Sequence, residues 1–157
     1  MRSLRPDEVQ AVLHDLRREP PEPIIRKIAG DASWLEVELD GIEDLGSLRT
    51  LWHKRGYGLT KPEDASAPTV AEIAGQIHNR SFRRPGLQAK VTRYLNRTRS
   101  RQMEVKLVLE ARSWGTFIAE GTTRAVALYL LHLRGENPSD LFPLKAVVFT
   151  LREIGSE

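Results

Sequence analysis

The chain has 157 residues, 40% of them hydrophobic and 29% charged, with a formal net charge of +3 and no cysteine. That composition can bury one core, and the missing cysteine excludes disulfides, thiolate nucleophiles and Cys-based zinc sites. No apolar run reaches the roughly 18–20 residues a membrane span requires, and MRSLRPDEVQ lacks the apolar centre of a secretory signal, so a cytoplasmic protein without a membrane partner is expected.

RPDEVQAVLHDLRRE predicts a helix from about Pro6 to Arg18. Pro6 suits the first helical position, and Asp7 and Glu8 suit the positive end of the helix dipole. Val9, Val12, Leu13 and Leu16 make one apolar stripe, which packs either on the rest of the chain or on a partner. Pro20, Pro21 and Pro23 stop the helix. The expected organisation is therefore an N-terminal helix with a proline-rich linker over 1–23, then one domain over 24–157.

WLEVELD alternates, with Leu35, Val37 and Leu39 on one side and Glu36, Glu38 and Asp40 on the other, as a half-buried strand does. Leu48, Leu51 and Trp52 suggest a short helix closed by Gly56 and Gly58, and KPEDASAP reads as a loop. Thr69 and Glu72 form a capping box ahead of Val70, Ile73, Ala74 and Ile77, which predicts a helix over 69–79. After the RRPGLQ turn, Leu87, Val91, Tyr94 and Leu95 make the apolar stripe of a helix over 87–97. Lys90, Arg93 and Arg97 gather on a neighbouring face. From Ile73 to Met103 there is no acidic residue but there are eight cations: Arg80, Arg83, Arg84, Lys90, Arg93, Arg97, Arg99 and Arg101. This basic middle between acidic flanks suits a phosphate-bearing partner, or is simply a solvated face.

Met103–Ala111 and Thr116–Glu120 read as a hairpin around Ser113-Trp114-Gly115. The segment IAEGTTRAVALYLL then runs from strand into a helix over 123–134 that is apolar on all sides, with Gly135 as its C-terminal cap. LKAVVFTL, 144–151, is a final strand rich in β-branched and aromatic residues. The whole reads as α+β, a small mixed β-sheet with packed helices.

The turn between strand and helix has two readings. In one it is a tight turn with a threonine N-cap, and Arg124 pairs with Glu120 or solvent. In the other, Gly121 lets a ligand approach the backbone, Thr122 and Thr123 add hydroxyls, and Arg124 adds a bidentate cation beside unpaired helix-start amides, as a phosphate requires.

Elsewhere the chemistry is sparse. His14, His53, His78 and His132 lie far apart and make no metal-ligand spacing. Glu36, Glu38, Asp40, Glu43 and Asp44 read as strand-edge carboxylates or as a source of a Mg²⁺ ligand or general base. WHKRGYG mixes aromatics with cations, as a glycine-rich loop or a base-stacking platform would. No Ser-His-Asp order, Walker-type loop or dinucleotide fingerprint is present.

The succession strand, hairpin turn, strand, EGTTRAVAL, buried helix, loop and returning strand resembles the ParB/sulfiredoxin-like superfamily, best over residues 104–151. Its members carry a Gly-x-x-Arg turn here, matched by Gly121-Thr122-Thr123-Arg124. The resemblance implies that these four residues hold nucleotide phosphates, of ATP or CTP with Mg²⁺. Sulfiredoxins place their catalytic cysteine where Thr122 stands, so cysteine-sulfinic reductase chemistry is excluded. Partition proteins carry Gly-Glu-Arg-Arg, whose glutamate also falls at Thr122. The superfamily's free serine kinases carry Asp-Gly-His-Thr-Arg, with which Glu120, Gly121, Thr123 and Arg124 agree in type. The expectation is a nucleotide-binding domain, with Lys90, Arg93 and Arg97 reaching the same phosphates or a nucleic-acid backbone. If it is catalytic, it is a Mg²⁺-dependent phosphotransferase or nucleotide hydrolase. A non-enzymatic nucleic-acid-binding or regulatory module using the 80–101 segment is the alternative, and an interaction scaffold a third; self-association into a homo-oligomer stays open.

Overall fold

In a computed structural model, residues 2–16, 32–50, 67–99, 106–112, 115–136 and 141–151 are described. The first of these opens with a two-residue strand, β1 (Arg2–Ser3), and the expected amphipathic helix, α1 (Pro6–Leu16). The alternating segment forms β2 (Ala32–Leu39), followed by a short helix, α2 (Ile42–Gly46). Two longer helices, α3 (Val70–His78) and α4 (Pro85–Arg99), precede the hairpin of β3 (Leu107–Arg112) and β4 (Gly115–Glu120). The chain then forms the buried helix α5 (Thr122–Leu133) and returns through β5 (Leu144–Leu151).

The strands make one mixed sheet in the order β1-β2-β5-β3-β4. β2 lies antiparallel to β1 and to β5, and β3 lies antiparallel to β4 but parallel to β5. A parallel pair cannot be joined by a tight hairpin, so the chain crosses from the β4 edge back to β5 through α5. This is the α+β architecture expected from the sequence.

Side-chain alternation divides the sheet into two apolar faces. Leu39, Leu107, Leu109, Ile118, Leu144 and Ala146 face the larger core, which α2 to α5 complete with Leu45, Ile73, Ile77, Val91, Leu95 and Leu128. Trp34, Val108 and Phe149 point the other way, where Leu13 of α1 packs on them. Trp34 and Phe149 lie with ring centroids 4.9 Å apart. The first helix is thus docked on its own sheet. Arg2 fixes it there, donating to both carboxylate oxygens of Glu8 at 2.8 Å and to Glu36 at 3.0 Å. The Arg2 guanidinium holds the Glu8 carboxyl well below its usual range, at about 2, helped by the backbone N–H of Arg5.

Local signals set the helix ends. Thr69 accepts a hydrogen bond from the Glu72 N–H at 3.2 Å and starts α3. Gly135, at φ +80°, closes α5 in a Schellman arrangement: Glu136 N–H donates to Leu131 and Gly135 N–H to His132. α3 ends the same way with Arg80 in the left-handed position, at φ 61°.

Leu48 does not start a helix as its spacing with Leu51 and Trp52 suggests. The short helix is α2, and 48–50 run extended, with Arg49 N–H donating to Thr116, Ile118 N–H donating to Arg49, and Val70 N–H donating to Leu48. Paired to β4 on one side and to Thr69 on the other, the segment satisfies its backbone outside any helix. Leu51, Trp52, Gly56 and Gly58 lie outside the described residues, as does WHKRGYG.

Candidate anion-binding site

β4 does not run straight into its turn. Leu109 pairs with Ile118 and Val108 with Glu120, leaving Ala119 as an extra residue in the ladder. Such a bulge bends a strand end and re-aims the residues beyond it. Gly121 comes next, at φ +100°, in the region that L-residues rarely adopt. A Cβ there would collide with the Lys106 carbonyl oxygen and come within 2.8 Å of Leu107 Cδ2. Glycine is therefore required twice, for its backbone angle and for the close approach to the start of β3.

Gly121 is also the N-cap of α5, and among the described residues no side chain caps the helix. This corrects the threonine-cap reading: Thr122 and Thr123 occupy the first two helical positions instead. Ala125 N–H takes the Gly121 carbonyl at 3.0 Å, so the amides of Thr122, Thr123 and Arg124 are the ones without an intrahelical acceptor. The helix behind them is anchored by Ala125, Val126, Ala127, Leu128, Leu130 and Leu131, all buried, so the ring of amides is held on a rigid element.

A cavity of about 300 Å³ opens at these residues. Its walls come from two helices and a strand end: Gly121, Thr122, Thr123 and Arg124 from α5, Leu87, Lys90, Arg93 and Tyr94 from α4, and Ala119 and Glu120 from β4. α4 meets the cavity with its polar side because Val91 and Leu95, 0% and 2% exposed, turn its apolar side into the core. Lys90 and Arg93 stay exposed at the mouth.

Arg124 makes no pair with Glu120 among the described residues. Its guanidinium lies over the Tyr94 ring, 5.4 Å from the centroid, and its Nε is buried without a hydrogen-bond partner. An orphaned buried donor of this kind costs free energy, on the order of 1–3 kcal/mol, unless something accepts from it. Arg97 also approaches the Tyr94 ring, at 5.7 Å, but does not line the cavity. The structure thus brings together six of the seven residues singled out from sequence and sets Arg97 behind Tyr94.

Leu87, Tyr94, Ala119 and Glu120 are the wall residues to which the sequence assigns no ligand contact. Tyr94 reads as core in the sequence, because an aromatic at helical spacing looks like core, and it does pack against the core from a partly buried position; its ring in addition carries two guanidinium groups. Two of the acidic residues near β2 take structural roles: Glu36 receives Arg2, and Asp44 accepts from the Asp40 N–H at 3.1 Å. Among the described residues, no three His, Asp or Glu side chains gather into a group that could hold a metal ion on its own; Mg²⁺ carried by phosphates needs fewer protein ligands than that. None of the helices described is long and apolar enough to cross a membrane.

Comparisons with protein-family models, with characterised proteins and with solved structures find no match for this chain.

Proposed function

We propose that the chain binds a nucleotide by its phosphates in the cavity at the start of α5, as a ParB/sulfiredoxin-like domain holding ATP or CTP with Mg²⁺. One observation carries the reading: the residues whose amides start α5, 122–124, with the Arg124 side chain, and Lys90 and Arg93 from another helix all line one opening. Each element favours an anion by a separate route. The amides donate hydrogen bonds, the helix start carries partial positive charge, and the cations neutralise formal charge.

Phosphoryl transfer depends more on positioning and charge neutralisation than on a covalent nucleophile. A phosphotransferase or nucleotide hydrolase is the catalytic extension of this reading, with Gly121, Thr122, Thr123 and Arg124 holding the phosphates and Lys90 and Arg93 neutralising them. Calorimetric titration with ATP and CTP, with and without Mg²⁺, tests it. The wild type gives a saturable heat that Arg124→Ala loses, while alanine at this helical position preserves the circular-dichroism spectrum. A wild type that binds neither nucleotide ends the reading.

A second reading has its own support. Arg80, Arg83, Arg84, Lys90, Arg93 and Arg97 are all exposed on one continuous stretch, as a phosphate backbone would require. Retention of DNA or RNA in a gel, falling steeply with salt, favours it; no retention at low salt removes it.

A further inference from the structure

We infer that the group recognised at this site is the polyphosphate itself, and that the base and sugar are left unread. The inference rests on the phosphate-binding reading above and narrows it to a ligand class: any di- or triphosphate, with or without a nucleoside. Three observations lead there.

The first is size. Pockets that enclose a drug-sized ligand span about 300–1,000 Å³. At about 300 Å³ the cavity sits at the bottom of that range, so a chain of phosphates fills it and a complete nucleoside triphosphate extends beyond it. The second is the wall chemistry. Lys90, Arg93 and Arg124 converge with the residues of the uncapped helix start, whereas among the described residues the apolar wall is reduced to Leu87 and Ala119. Reading a base requires an apolar slot with a few polar groups that match its edge.

The third is the state of the aromatic ring. Among the described residues of the wall, Tyr94 is the aromatic one, and a free ring face is what a base would stack on. Its ring is already approached by the Arg124 guanidinium at 5.4 Å and the Arg97 guanidinium at 5.7 Å. Tyr94 thereby acts as a positioning residue for Arg124, holding the cation against the cavity, and is not a platform for a base.

The test is a competition on the full chain at fixed ionic strength, with ATP, CTP, sodium tripolyphosphate, pyrophosphate, orthophosphate and adenosine as probes. Tripolyphosphate, ATP and CTP are expected to bind within about threefold of one another, and adenosine not to bind. Lys90→Gln, Arg93→Gln and Arg124→Ala each weaken all three alike, by about tenfold or more, the worth of a charged hydrogen bond. Tyr94→Leu weakens them too, whereas Tyr94→Phe, which keeps the ring, leaves them near wild type. If ATP or CTP binds but tripolyphosphate does not displace it, the inference fails and the phosphate-binding reading survives. If no probe binds, both fail. Tripolyphosphate binding that none of the three cation variants weakens lies elsewhere on the surface, and also overturns the inference.

Discussion

The turn before α5 can be probed with two glycine replacements that differ in one physical respect. Gly121 and Gly135 both hold positive φ, at +100° and +80°, so alanine at either position incurs the left-handed penalty. That penalty is about 1–2 kcal/mol, partly offset because alanine also restricts the unfolded chain, leaving roughly 1 kcal/mol. At Gly135 nothing lies within 4 Å of the new Cβ, so Gly135→Ala should stop there. At Gly121 the Cβ meets the Lys106 carbonyl and Leu107 Cδ2 at 2.8 Å. Neither can yield cheaply, since Leu107 opens β3 and pairs with Ala146 of the central strand. Overpacking of this kind adds about 1–3 kcal/mol. Gly121→Ala should therefore lose roughly 2–4 kcal/mol, a large share of the ~5–15 kcal/mol that holds an ordinary domain together. Urea denaturation followed by circular dichroism measures both variants, with thermal melts as a second probe. In a chain of this length about 1 kcal/mol corresponds to a shift of ~2–4 °C, so the two variants separate clearly. Equal losses would show that the turn does not press on the start of β3.

Other parts of the molecule lead to three further outcomes. Arg80 closes α3 at φ 61°, where glycine is the favoured residue, so Arg80→Gly should raise stability by about 1 kcal/mol in the same urea assay; a loss would assign the Arg80 side chain a contact of its own. The Glu8 carboxyl, held near 2 against an ordinary 4.5, makes a contribution that is fully present above pH 4.5 and is lost as pH falls through about 2. A carbon-detected NMR titration should find that low midpoint, moving back towards 4.5 in Arg2→Ala; an ordinary midpoint in the wild type would remove the Arg2 clamp on α1. Glu120 is the carboxylate in the cavity wall, and without divalent cations it opposes an anion, so Glu120→Gln should tighten tripolyphosphate binding by a few fold, on the order of 1 kcal/mol or less. Weaker binding by that variant would mean that Glu120 holds a wall cation in place.

The features legible in the sequence are those that depend on local rules. Thr69 and Glu72 mark the start of α3, Gly135 marks the end of α5, and alternation in WLEVELD marks β2, because caps and side-chain period are properties of a few neighbouring residues. Six residues of the cavity wall are legible for a similar reason: a glycine-threonine-arginine turn at a helix start and a basic helix face are both local patterns. β1 is not legible, since two residues carry no period, and it is a strand only because β2 offers Glu36 and Leu35 to pair with. Leu48 misleads because an apolar residue in a short run suits a helix or an extended segment equally, and pairing to β4 decides it. Whether Gly121 or a threonine caps α5 is equally hidden, because the answer lies in a backbone angle set by packing against Lys106.

The position of the cavity is a consequence of strand order. Because β5 lies between β2 and β3, the chain leaving β4 at the sheet edge must pass over β3 to reach it, and α5 is that passage. A crossover helix packed on a sheet has to begin where the preceding strand ends, so its first amides emerge at the end of β4. α4 packs against α5 through Val91 and Leu95, which fixes its rotation; Lys90 and Arg93, on its remaining side, then fall at the same opening. Core burial thus aims the cations. Two cations of the basic segment, Lys90 and Arg93, are brought to the start of α5 by the same apolar contacts that stabilise the domain, and among the described residues the site takes its geometry from two helices and a strand end.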